Sequence, residues 1–129
     1  MGLEEKRYIK TLTDEVIPTF KNDLKAIIGK DVDLAMNWDT FSTSAQLQEV
    51  QHQCLGRILD GIRKIAADDM GKEALSETLA TIKINNVSDS AAKKIELSGN
   101  TLTVDAKWED FSSGIFTDTD YSTQIEKAL

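Results

Sequence analysis

The chain has 129 residues, with 15 lysines and arginines against 22 aspartates and glutamates and a formal net charge of −7. That length suits one domain with its own core, and the acidity disfavours direct binding to phosphate backbones. One cysteine excludes an internal disulfide framework, and no apolar run approaches the roughly 18 residues of a membrane span.

Leu3 to Ile28 reads as a first helix, because Ile9, Leu12, Val16, Ile17, Phe20, Leu24, Ile27 and Ile28 recur along one face. Pro18 interrupts it but points away from that stripe, which predicts one kinked helix with Gly29 as its left-handed stop. In Asp31 to Asp39 the apolar Val32, Leu34, Met36 and Trp38 alternate with smaller or polar residues, the period-two pattern of a half-buried strand.

Ser42 to Asp68 follows as the clearest element, a long amphipathic helix of about residues 44–67. Leu47, Val50, Cys54, Leu55, Ile58, Leu59, Ile62, Ile65 and Ala66 fit a period near 3.6. On an α-helical projection Cys54 sits at the centre of the apolar face, Gln51 and Gly61 fall inside it, and His52 lies at its margin. Gly61 there would let another element approach the backbone closely. Asp68 and Asp69 can cap a shorter helix from Met70 to Leu79, with Gly71 as a weak point.

Thr81 to Asn85 alternates again. Lys93 to Leu97 and Thr101 to Trp108 bracket Ser98-Gly99-Asn100 as a β-hairpin. A loop, Glu109 to Phe116, precedes a last short helix from Thr119 to Leu129, which needs docking to be stable. The expected architecture is therefore a single α+β domain over residues 1–129, in the order α-β-α-α-β-β-β-α. Two long helices (about 3–28 and 44–67) should pack on one face of a roughly four-stranded, mainly antiparallel sheet.

Catalytic and metal-binding patterns are missing from the sequence. His52 is the only histidine, and residues two apart on a helix do not meet, so His52 and Cys54 cannot form a nucleophile–base pair. Asp118-Thr119-Asp120-Tyr121-Ser122 begins like a calcium loop but has Thr123 where a glycine is needed and Leu129 where a glutamate is needed. No phosphate-binding glycine pattern occurs. The expectation is a protein without enzymatic activity, cofactor or metal.

One constellation suggests recognition. Trp108, Phe111, Phe116 and Tyr121 gather beside Glu109, Asp110, Asp118 and Asp120, and residues 105–129 carry six acidic side chains against two lysines. Aromatic anchors within an acidic rim suit a protein-binding surface, with Trp108, Asp110, Phe111, Phe116, Asp118 and Asp120 as contact residues. The same rings could instead plug the open end of the sheet. The partner expected is another protein, a basic one being an option, with no nucleic acid or membrane involved and a cytoplasmic location. In size and acidity the chain is similar to type III secretion chaperones and toxin-neutralising immunity proteins, which makes an adaptor, chaperone-like or immunity-like role the expectation. The alternative is a small-ligand-binding domain whose pocket lies between the sheet and the two long helices, with Gln51 or His52 as its polar contact.

Overall fold

Residues 3–28 follow one helical path in the computed structural model, which describes residues 2–129. α1 (Leu3–Thr11) runs into a π-helical stretch, Leu12–Val16, and continues as α2 (Ile17–Ile28). Pro18 supplies the reason: it has no N–H for the carbonyl of Asp14, and in a regular helix its ring would crowd that group. Widening the preceding turn relieves the clash. Gly29, at φ 90°, ends the helix and donates its N–H to the Lys25 carbonyl at 2.8 Å. Leu12, Phe20, Leu24 and Ile28 enter the core, whereas α1 buries none of its residues.

The second long helix opens on a capping box. Gln46 N–H donates to Thr43 Oγ1, while the Ser42 and Thr43 N–H groups donate to Gln46 Oε1 at 2.7 and 3.3 Å. It proceeds as α3 (Ser44–Gln48), a second π-helical stretch (Val50–Gly56) and α4 (Arg57–Ile65). The expected apolar positions from Leu47 to Ile65 are buried. Asp68 then caps α5 (Asp69–Thr78), its Oδ1 accepting the Gly71 N–H at 2.7 Å.

β1 (Asp33–Met36), β2 (Thr81–Asn86), β3 (Lys94–Ser98) and β4 (Thr101–Ala106) form one sheet in the order β1-β2-β4-β3. β1 runs parallel to β2 and β2 parallel to β4, and the β3–β4 hairpin is antiparallel. The sheet is thus mixed where the sequence suggests a mainly antiparallel one. Connection length explains the difference. Between β1 and β2 the chain passes through the second long helix and α5, a crossover long enough to restart at the same end of the sheet. Beyond β2, the 3₁₀ turn Ser90–Ala92 helps carry the chain past the adjacent slot to the far edge, and β4 returns to fill it. β1 is also shorter than the Asp31 to Asp39 run, because Trp38–Thr40 turns into a 3₁₀ helix.

Register aligns the apolar side chains into two rows across the sheet. Leu34, Ile82, Leu102 and Leu97 form one, and Met36, Ile84, Val104 and Ile95 the other. The helices cover this face. The opposite face is polar and carries a relay in which Asn37 Nδ2 donates to Asn85 Oδ1 (2.9 Å) and Asn85 Nδ2 to Asp105 Oδ1 (2.7 Å). α6 (Asp118–Ala128) completes the helical layer by packing on α4. Its backbone passes so close to Gly61 that a Cβ there would lie 2.7 Å from Tyr121 Cβ and 2.9 Å from the Asp118 carbonyl oxygen. The buried apolar residues form one contiguous cluster.

Candidate functional site

The acidic aromatic segment is largely turned inward. Trp108 has no solvent exposure: its indole N–H donates to the Asn85 carbonyl at 3.1 Å and its backbone N–H to Asn86 Oδ1 at 3.3 Å. It lies two residues past Ala106, the end of β4, in phase with the period-two pattern that buries Leu102, Val104 and Ala106. Trp108 is therefore a core residue and unavailable as a partner contact. Phe116 is half-buried, packing edge-on against buried Tyr121 with 5.8 Å between ring centroids and receiving the Lys93 ammonium 5.0 Å from its ring centre. Phe111 alone of these rings is exposed, at 59%.

Local bonds engage the three aspartates proposed as contacts. Asp110 accepts from the Ser112 and Ser113 hydroxyls at 3.0 Å and from their backbone N–H groups, which holds its carboxyl below the ordinary range. Asp118 is held below the ordinary range by a hydrogen bond and charge attraction from Lys64, whose Nζ is 3.1 Å away. Asp120 forms a capping box with Thr117, accepting the Thr117 N–H at 3.0 Å. These carboxylates shape a loop and start a helix.

Gln51 and His52 lie elsewhere than expected. Both are exposed, because the turn containing them is π-helical and holds one residue more than an α turn, rotating Gln51 out of the apolar sector. The buried glutamine is Gln46, whose amide Nε2 donates to Glu109 Oε1 at 3.4 Å. Between the sheet and the helices, Leu24, Ile58, Ile62, Ile82, Ile84 and Val104 are at most 2% exposed and fill the space assigned to the alternative ligand pocket.

Gln51 and His52 instead line a groove of about 410 Å³ between the two long helices. Each helix contributes residues of its π-helical stretch, Glu15 and Val16 from one and Gln51, His52 and Leu55 from the other. Val16 and the buried Phe20, Leu55 and Leu59 form the floor. Exposed Glu15 and half-buried Asp23 stand along one wall, and among the described residues neither carboxylate has an ion-pair or hydrogen-bond partner. The Thr19 hydroxyl, between them, donates to the Glu15 carbonyl at 3.0 Å. Sequence reasoning passed over this wall, although Glu15, Thr19 and Asp23 recur every four residues and so share a helix face.

Among the described residues no three His, Cys, Asp or Glu side chains gather as a metal site, and no helix is long and apolar enough to cross a membrane. Comparisons with protein-family models, curated proteins and solved structures gave no match.

Proposed function

We propose that this protein is a non-enzymatic binding domain that seats a basic side chain of a partner protein in the groove between its long helices. The carrying observation is the pairing of an apolar floor with two unpartnered carboxylates, Glu15 and Asp23, on one wall. Arginine matches both parts: its methylene stem lies against apolar surface while its guanidinium donates to carboxylates. The net charge of −7 would steer a basic partner toward the molecule. The Trp108 to Asp120 segment suits this task less well, since its aspartates already satisfy local donors.

Support for a non-enzymatic reading comes from His52, which has no hydrogen bond to a hydroxyl, thiol or carboxylate among the described residues, and from the burial of Cys54. A reducing cytoplasmic setting belongs to the same reading, with the single unpaired cysteine as its support. So does the exclusion of nucleic acid, supported by the net charge.

The test is an NMR titration of the labelled protein with a short, capped arginine peptide, using its glutamine analogue as control. Amide shifts confined to residues around Glu15, Asp23, Gln51 and His52, and lost in the Glu15→Gln/Asp23→Asn variant, are expected. Shifts scattered over the acidic surface, or persisting in the double variant at physiological salt, would overturn the assignment.

A further inference from the structure

β3 is an edge strand whose outward main chain is open. The carbonyl of Asn100, just before β4, accepts from Thr81 of β2, and that of Ala106, the last residue of β4, accepts from Val87 just after β2, so the even-numbered residues of β4 face β2. Thr101, Thr103 and Asp105 therefore bond to Ser98, Glu96 and Lys94, which leaves the N–H and C=O groups of Ile95 and Leu97 directed away from the sheet. Among the described residues, no backbone hydrogen bond from outside the ladder reaches either of them.

A groove of about 370 Å³ lies along this edge, between β3 and α6. Ile95 and Phe116 give it an apolar base, and Asp120 and Gln124, one helical turn apart, line it from α6. Lys93 lines it as well, its ammonium over the Phe116 ring and 3.4 Å from the Ile115 carbonyl, which accepts from it. Lys93 has no carboxylate partner, whereas its neighbour Lys94 is paired with Glu96 at 2.9 Å. β1 has a similarly open edge at Leu34 and Met36, but this groove and its unpaired cation belong to β3.

We propose that the groove between β3 and α6 receives an extended segment of another protein, which adds as a fifth strand to β3 and places a carboxylate side chain against Lys93. The open amides and carbonyls of Ile95 and Leu97 require an extended backbone as their complement. The groove beside them takes alternate apolar side chains of the added strand, and the half-buried lysine fixes the position of an acidic one. This site shares no residue with the inter-helical groove, so either can fail without the other.

A phage-displayed random-peptide library panned against the full chain supplies the probes, and selected peptides are then synthesised and titrated into labelled protein. Expected are shifts along Lys93 to Leu97 and Asp120 to Gln124, new protection from hydrogen exchange at the Ile95 and Leu97 amides, and an acidic residue common to the binders. Lys93→Glu, with its fold verified by an unchanged circular dichroism spectrum and Tm, should weaken them at least about fivefold. The proposal is overturned if panning yields no binder, if binders protect Leu34 and Met36 or map elsewhere, or if Lys93→Glu leaves affinity unchanged.

Discussion

Asp118 illustrates how a carboxylate that looks free in the sequence becomes committed in the fold. Lys64, on α4 packed against this helix, donates to it at 3.1 Å and also to the Thr119 hydroxyl at 3.0 Å. Because the carboxyl is held below its unfolded value of about 3.9, its stabilising effect is complete above that value and is lost as pH falls through the lower, folded one. Urea midpoints measured from about pH 5 down to pH 2 should therefore fall more steeply for the wild type than for Lys64→Ala. The difference should shrink at about 1 M salt, where screening acts within about 3 Å, and parallel curves would show the pair to be inert. The sequence pattern starts the last helix at Thr119, one residue after its observed start at Asp118. It could not reveal Lys64 as the partner, because that contact joins residues 54 positions apart. Trp108 admits two readings in the sequence, plug of the sheet or partner contact, and its burial, with the indole bonded to the Asn85 carbonyl of a second strand, selects the plug.

At the scale of elements, periodicity and capping residues located the α-helices and strands but not how they join. Side chains alternate identically in parallel and antiparallel strands, so the Ile82, Ile84, Leu102 and Val104 pattern fixed the buried face and left strand direction open. The inter-helical groove was hidden similarly, since projection at 100° per residue assumes an α turn throughout and both walls depart from it. Gly61 was legible, because a glycine inside an apolar sector implies a close neighbour, and α6 is that neighbour. The atoms a Cβ would meet include the Asp118 carbonyl and the Ser122 nitrogen, backbone groups that cannot rotate aside. Gly61→Ala should thus push α6 outward at a cost of about 1–3 kcal/mol, seen as a lower Tm and faster hydrogen exchange between Tyr121 and Ile125. An unchanged Tm would mean that the two helices are not in this contact.

For the molecule as a whole, the core joins both long helices, the sheet and α6 in one cluster, with Cys54 fully buried at 0% exposure. Burial also pushes its thiol well above the ordinary range, so the reactive thiolate is suppressed as well as shielded. Labelling of Cys54 by a thiol reagent should therefore follow global unfolding, with the same dependence on denaturant as circular dichroism. Labelling that is fast in the native state and insensitive to denaturant would reveal a local opening of the second helix.

The two π-helical stretches have a consequence for how such a surface arises. A π turn within an α-helix is equivalent to a one-codon insertion absorbed without displacing the flanking turns. Removing Gln51 would let Val50 to Gly56 relax toward α geometry, with Leu47 and Ile58 still anchored in the core. His52 would then swing to a new bearing and one wall of the groove would be redrawn. In genetic terms, the scaffold and this wall are separable, and the wall can be redrawn in a single step.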